Sequence, residues 1–434
     1  MKPELSKHFQ SRNPSAIRVA QIEYSKRTDK TEAVNVAIGN VSLPMHPMMQ
    51  ERMRHLGEND SPFADGVVKY SSSVGFQETN DAFLNIIASS GFKTENLYSQ
   101  VTDGGSQAME LVILGVCGEA GADDRPLLLI DAAYTNYNAM AERLGRKTIS
   151  ITRSLDDDGR FAYPDYAQME ELIKEQNPSA IIVIPYDNPT GHYYTHEALV
   201  ELSKIAVKYN LWIISDEAYR ELYYTNDKIT SVWGISEDEV PGISERRISI
   251  ETASKVWNAC GLRIGAIVTD NAEFNKKAIA ENTANLCPNV IGQYIFGSLA
   301  HASHSDLQMW YKHQREYYAA MLHELSSELK KLQPKIIVSR PDASIYSVVD
   351  VRNIVDASFD ASKFVLYCAQ QGSVLIDDQE LTLLVSPLAE FYSIEDLDKN
   401  PGRTQMRIAY VESPEKMKLV PKLFSKLLQQ YLSK

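Results

Sequence analysis

Residues 250–265 read IETASKVWNACGLRIG, which places Lys255 and Arg263 eight positions apart among apolar and small neighbours. An ammonium and a guanidinium are costly to hold in such surroundings unless something negative lies between them. A lysine amine can bond covalently to a carbonyl and later move a proton. An arginine fork can bind two oxygens of a phosphate or carboxylate. Other polar residues recur at comparable places. Asn188 follows AIIVIP in the loop YDNPTG, Asp216 follows LWIIS directly, and Lys255 comes a few residues after RRISI. In VTDGGSQAMELVILGV (101–116), Gly104 and Gly105 precede a helical pattern whose spacing predicts a start near Ser106. Glycines before a helix N-terminus leave free N–H groups and the positive end of the helix dipole for an anion. Each signal has a plain alternative: an exposed lysine, a helix-capping aspartate, a turn glycine.

Whether these groups meet depends on the elements that carry them. PLLLI (126–130), KTISIT (147–152), AIIVIP (180–185), LWIIS (211–215), RRISI (246–250) and IGAIV (264–268) are short runs rich in branched residues, bounded by polar or turn residues, and predict strands. Between AIIVIP and LWIIS, Ala198, Leu202, Ile205, Ala206 and Tyr209 follow helical spacing behind Thr195, a suitable N-cap. Strand, helix and strand in that order predict parallel neighbours joined by a right-handed crossover. Ligands of such a sheet sit beyond the carboxyl ends of its strands, where Asn188, Asp216 and Lys255 all fall. After about residue 305 the pattern changes. A long helical stretch from 306 to about 332 leads to strands near KIIVS and SIYSVVD and then to a C-terminal helix. That predicts a second, smaller α+β domain.

The 434 residues are 44% hydrophobic and carry a net charge of −13, a balance that argues against nucleic-acid binding. Cys117, Cys260, Cys287 and Cys368 are scattered without a CxxC pair, which predicts a reducing compartment and no zinc or disulfide framework. No stretch approaches the ~18 apolar residues of a membrane span, and residues 1–21 lack the apolar centre of a signal peptide. The expectation is a cytoplasmic protein with no membrane and no nucleic-acid partner. His192 and His196 have a ligand-like spacing but no third partner near them in sequence, and LDDDGR (155–160) lacks a calcium-loop pattern, so no metal is expected.

The motifs DNPTG (187–191), SDEAY (215–219), and TASK followed by GLRIG appear in an order that resembles the class I/II, fold-type I pyridoxal-phosphate (PLP) aminotransferases of the aspartate aminotransferase superfamily, from about residue 35 to 410. The resemblance implies an α/β fold of that type. It has a large PLP-binding domain over 50–305 with a mostly parallel seven-stranded sheet, and a smaller α+β domain made from 1–49 and 306–434. It implies that Lys255 holds PLP covalently and moves the proton. Arg263, Thr252, Ser254, Gly104, Gly105 and Ser106 would bind the phosphate, and Asp216 would keep the pyridine nitrogen protonated. Asn188 and Tyr219 would hydrogen-bond the phenolic oxygen, and Tyr134, in DAAYTNY, would stack on the ring. Arg407, in TQMRIAY, would clamp the substrate carboxylate together with Asn188, and Gly39, in VAIGNVSLP, would cover the substrate. Tyr70, in VVKYSSSVGF, would reach the phosphate of a neighbouring subunit, which makes the expected assembly a homodimer with shared active sites.

The chain departs from the family in several places. Ala132 stands where a proline is usual, Ala343 where a glycine is usual, and LLVSPLAEFY (383–392) is more apolar than the usual loop. The segment AIAENTANLCPNV (278–290) has no Arg or Lys, which argues against a strict dicarboxylate specialist. Val41, Leu43, Phe391 and Tyr392 suggest an apolar pocket wall, slightly favouring a neutral or aromatic L-amino acid as donor. The reaction this implies is ping-pong transfer of the amino group to a 2-oxo acid, 2-oxoglutarate or pyruvate by resemblance. A PLP-dependent C–S or other β/γ-lyase of the same fold, and a non-catalytic PLP-binding protein, are the alternatives that the same residues leave open.

Overall fold

The computed structural model describes residues 3–340 and 342–434; Met1, Lys2 and Pro341 lie outside them. All six predicted strands of the central region form, as Leu127–Asp131, Thr148–Thr152, Ala180–Val183, Trp212–Asp216, Arg247–Thr252 and Gly265–Thr269. They lie in one seven-stranded sheet whose order from edge to edge is Tyr98–Thr102, Gly265–Thr269, Arg247–Thr252, Trp212–Asp216, Ala180–Val183, Leu127–Asp131 and Thr148–Thr152. Gly265–Thr269 is antiparallel to both its neighbours, and the remaining pairings are parallel. The apolar runs do not predict Tyr98–Thr102. Val101 is the only aliphatic residue in YSQVT, and the strand lies at the sheet edge with Tyr98 exposed.

The inner strands LLLID, AIIV and GAIVT are buried at every position, as expected of a sheet covered on both faces. The helix His196–Lys208 makes the predicted crossover, and Thr195 Oγ1 accepts a hydrogen bond from Ala198 N at 3.3 Å. Its Leu199, Leu202 and Ala206 are fully buried; each leucine contributes about 1.5–3 kcal/mol relative to exposure. Tyr209, at the end of the pattern, is only half-buried, and its hydroxyl donates to Glu170 Oε2 at 2.7 Å.

The long helix runs from His304 to Leu332, two residues longer at its start than the spacing predicts, because Ser303 caps it by accepting from Asp306 N at 3.1 Å. Beyond it lies a four-stranded sheet, Ser386–Pro387, Gln405–Ala409, Tyr346–Asp350 and Ile337–Val338. A three-stranded sheet contains Glu32–Asn35, Gln379–Leu384 and Val374–Ile376. Glu32–Asn35 pairs in parallel with Gln379–Leu384, so the beginning of the chain is built into its end. Val36 N donates to Leu384 O at 2.9 Å and Val36 O accepts from Ala409 N at 2.8 Å, which fixes the approach to Gly39.

The helix Gly104–Val116 begins two residues before the predicted Ser106, because Gly104 enters it with a φ of +80° that glycine tolerates. Its first turn lies against the sheet. A Cβ on Gly105 would stand 3.3 Å from Ile250 Cγ2, and one on Gly265 would come within 2.6 Å of the backbone of both Gly104 and Gly105. Only a residue without a side chain lets the strand and the helix terminus approach this closely. Gly265→Ala is therefore expected to lower stability by about 1–3 kcal/mol, the usual range for overpacking, measured as the shift in thermal midpoint.

Candidate active site

A cavity of about 320 Å³ opens beyond the carboxyl ends of the central strands. Around it the structure brings together Gly39, Gly105, Ser106, Tyr134, Asn188, Asp216, Tyr219, Thr252, Ser254, Lys255, Arg263 and Arg407. Two of the expected phosphate-binding residues are not among its walls. Gly104 lies beneath Arg263, so close that a Cβ there would collide with the guanidinium. Tyr70 is 78% exposed and does not line this chain's own cavity. Of the expected apolar wall only Phe391 lines the cavity. Val41 and Tyr392 are buried elsewhere, with the Tyr392 hydroxyl donating to Gln405 Oε1 at 2.6 Å, and Leu43 is absent from the lining.

One corner gathers anion-binding groups. Thr252 Oγ1 donates to Ser254 Oγ at 2.8 Å and accepts from Ser254 N at 3.1 Å, so the two hydroxyls stand together. Arg263 adopts a left-handed backbone with φ of +53°, and its Nη1 donates to Cys260 O at 3.2 Å. The first turn of Gly104–Val116 supplies Gly105 and Ser106. Among the described residues Arg263 has no carboxylate partner within salt-bridge distance, so a guanidinium, two hydroxyls and a helix N-terminus face the same space.

At the base of the cavity Lys255 Nζ donates to Gly39 O. A Cβ on Gly39 would lie 3.2 Å from that nitrogen and would collide with the Tyr346 hydroxyl, so a side chain there would block the amine. Asp216 ends its strand with Oδ1 accepting from Ala218 N at 3.1 Å and Oδ2 accepting from the Tyr137 hydroxyl at 2.6 Å. Burial raises its carboxyl above the ordinary range, while Tyr137 and Lys255 draw it back. The Tyr219 and Tyr346 hydroxyls are 2.9 Å apart. Burial, then Tyr346, lifts the Tyr219 phenol well above its usual value. Burial also pushes up Tyr346, but Lys255, Arg407 and the hydrogen bond from Tyr219 outweigh it and hold that phenol below the ordinary value.

Arg407 lies within Gln405–Ala409 and is 4% exposed. Its Nη1 donates to Asn188 Oδ1 and its Nη2 to Ala37 O, both at 2.8 Å. The guanidinium stands 4.3 Å from the Tyr346 ring centre and 5.1 Å from that of Phe391. Its Nε is buried without a partner, an omission that costs about 1–3 kcal/mol unless a ligand supplies an acceptor or reorganises the group. Asn188 Nδ2 in turn lies 3.4 Å from the Tyr219 hydroxyl.

Three further residues hold this arrangement without any motif to announce them. Arg153 is buried and donates through Nη2 to Asp187 Oδ2 at 2.7 Å and to Ala132 O at 3.0 Å. It thereby ties the loop bearing Asn188 to the loop bearing Tyr134. Tyr137 and Tyr346 were present in DAAYTNY and SIYSVVD, but nothing in one sequence separates a hydroxyl that meets Asp216 or Tyr219 from an ordinary core tyrosine. Below the sheet end, Arg220 Nη2 pairs with Glu251 Oε1 at 2.6 Å, and Glu217 Oε1 accepts from Ser231 Oγ at 2.7 Å, which anchors the turn DEAY. His192 packs against Tyr163 and Tyr194, and His196 pairs with Glu239 at 2.7 Å.

The donor set fits PLP: a lysine amine, a carboxylate, and an anion corner of the kind a phosphate needs. The pattern of the family "Aminotransferase class I and II" matches residues 35–414. The chain belongs to that family. Its cofactor is PLP. A probable kynurenine–oxoglutarate transaminase of Saccharomyces cerevisiae is 30% identical over 227 residues, 50% of this aminotransferase chain and 48% of the yeast protein. The match thus spans about half the length of that relative. An aspartate aminotransferase of Thermotoga maritima is 24% identical over 74% of this chain and 78% of its own. A solved structure of a putative kynurenine aminotransferase from Saccharomyces cerevisiae superposes with a TM-score of 0.80 at 19% identity, covering 99% of this chain and 100% of that one. The Thermus thermophilus aspartate aminotransferase gives 0.79 at 20% identity over 98% and 100%. These likenesses show the fold, which is type I of the PLP-dependent transferases. Among the described residues no helix is long and apolar enough to cross a membrane.

Removing the fork from the anion corner is expected to loosen the cofactor. Arg263→Ala should weaken PLP binding by ~10–100-fold, the size of one or two charge-assisted hydrogen bonds, as read by equilibrium dialysis of the refolded or reconstituted protein.

Proposed function

We propose that the chain transfers the amino group of an L-amino acid to a 2-oxo acid by a ping-pong reaction on PLP. The observation that most supports this is Arg407: a buried guanidinium in the same cavity as Lys255, bonded among the described residues only to neutral oxygens and with Nε unpartnered there. Such a group suits a carboxylate that arrives with the substrate. When bound, PLP supplies a carbonyl to carry the amino group and a ring that accepts the electrons of the broken Cα–H bond. In this reading Lys255 Nζ would hold the cofactor covalently and, when released, would carry the proton from the substrate Cα to the cofactor carbon C4′, and in the opposite direction in the second half-reaction. Arg263, Thr252, Ser254, Gly105 and Ser106 hold the phosphate. Gly104 shapes that corner by admitting Arg263 above it. Asp216 partners the ring nitrogen, Asn188 and Tyr219 the phenolic oxygen, and Tyr134 the ring face. Gly39 caps the substrate through its backbone. A homodimer in which Tyr70 reaches the partner's phosphate accords with that tyrosine's exposure. Residues 50–305 would act as one body, and 1–49 with 306–434 as the other.

The mouth of the cavity offers two kinds of contact. Ile17, Ile38 and Phe391 give an apolar wall, and Arg18, on the helix Ala16–Ser25, is a cation whose side chain meets Gln21 Oε1 at 3.1 Å. We assign the wall to a neutral or aromatic donor and Arg18 to the distal carboxylate of 2-oxoglutarate as acceptor. The relative named as a kynurenine–oxoglutarate transaminase accords with that pairing.

The test is the absorbance of the PLP-loaded protein during titration with single amino acids, with Lys255→Ala beside it. One donor should change the cofactor band and 2-oxoglutarate should restore it, while the variant responds to neither. Ammonia and an oxo acid accumulating instead would establish the lyase. Arg18→Gln should raise KM for 2-oxoglutarate by ~10-fold and leave pyruvate nearly unaffected, the effect of one lost charge-assisted contact.

A further inference from the structure

Tyr137 has no part in the roles above, yet its hydroxyl is bonded to the carboxylate at the centre of them. Asp216 has two protein donors. The Ala218 N–H at 3.1 Å is a local turn contact that an aspartate commonly makes with the backbone two residues on. The other comes from a distant helix, Asn136–Arg143, whose Tyr137 hydroxyl stands 2.6 Å from Oδ2. Tyr137 is 2% exposed and Asp216 half-buried, and both belong to the cavity wall, so the bond is held within the site itself. Burial, then the charge of Asp216, raises its phenol well above the usual value, so the tyrosine remains a donor throughout the working pH range. Its ring meets that of Tyr134 edge-on, with centroids 5.4 Å apart and planes at 87°. Tyr137, in the first turn of that helix, therefore touches both the aromatic at the cavity wall and the carboxylate.

The charged neighbours of Asp216 act in opposite directions. Burial and Glu217 favour its neutral acid, whereas Tyr137 and Lys255 favour the carboxylate. A hydrogen bond to an ionised oxygen stabilises that ion selectively and is stronger than one between neutral groups. Without it, a carboxyl in this buried position would compete for any proton presented to it.

We propose that Tyr137 is a positioning residue whose hydroxyl keeps Asp216 ionised, so that the proton between Asp216 and the cofactor's ring nitrogen stays on the nitrogen. The inference rests on the proposed role of Asp216 as the partner of that nitrogen. Tyr137→Phe removes the hydroxyl and retains the ring that packs on Tyr134, so the thermal midpoint should stay close to that of the parent protein. The deciding measurement is the ¹⁵N resonance of ring-labelled PLP in the intact holoenzyme. The parent protein should show a protonated nitrogen, and the Phe variant a resonance displaced toward the unprotonated position. PLP binding should weaken by ~10-fold, and kcat for the half-reaction with the donor should fall by a similar factor with KM little changed, as one lost hydrogen bond to a charged group dictates. A parent-like ¹⁵N resonance in a folded Tyr137→Phe protein overturns the proposal. Asp216→Asn separates the two levels: if it too keeps the parent resonance and turnover, the role of Asp216 itself is wrong. If it loses both while Tyr137→Phe loses neither, only the role of Tyr137 is.

Discussion

The site is organised around positive charge that the protein offsets only in part, with Asp216 as the carboxylate in the same cavity. Lys255, Arg263 and Arg407 face one cavity, and the hydrogen bonds they donate go to Gly39 O, Cys260 O, Ala37 O and Asn188 Oδ1, all neutral acceptors. Elsewhere the chain pairs its buried cations: Arg153 with Asp187 and Arg220 with Glu251. The contrast separates structural charge from charge held for a ligand. Arg407 is buried, so water screens its attraction for an anion little, whereas Arg263 is exposed and Lys255 half-buried and depend more on hydrogen-bond geometry. Phosphate and carboxylate are the anions these donors suit.

That arrangement demands rigid supports, and they come from both faces of the sheet end. Gly265 and Gly105 bring strand and helix terminus together closely enough for the backbone itself to line the anion corner. Arg153 links the loops after Leu127–Asp131 and Ala180–Val183, and the Arg220–Glu251 pair underpins the turn after Trp212–Asp216. The buried pairs cost desolvation, so their contribution lies in fixing geometry more than in net stability. Three loops and a helix terminus thus meet at one place.

Much of this is legible in the sequence because two kinds of signal coincide. Runs such as AIIVIP and LWIIS mark strands by composition, and the polar residues that follow them, Asn188 and Asp216, must fall at the same sheet edge. Lys255 and Arg263 are legible through TASK and GLRIG. What is not legible depends on contacts between distant segments. YSQVT gains its strand from pairing with Gly265–Thr269, not from its own pattern. Tyr137 and Tyr346 look like any core tyrosine until the fold brings their hydroxyls to Asp216 and Tyr219. Val41 and Leu43 read as pocket wall from their proximity to Gly39, but neither lines the cavity. Proximity in sequence fixes neither the direction of a side chain nor the neighbour it meets.

The pairing of Glu32–Asn35 with Gln379–Leu384 has a consequence for the order of events during synthesis. The segment carrying Gly39 reaches the ribosome exit early, but its partner strand, and Ala409 that bonds to Val36, are made only near the end. The central sheet, whose strands all lie between Tyr98 and Thr269, can assemble on the growing chain. The first forty or so residues must wait, unpaired, until nearly the whole chain has emerged, because a long-range closure cannot be rewarded before both ends exist. The cover over Lys255 is therefore completed only together with Phe391 and Arg407, and a nascent chain interrupted before residue 379 would expose an incomplete pocket with no partner strand for Glu32–Asn35.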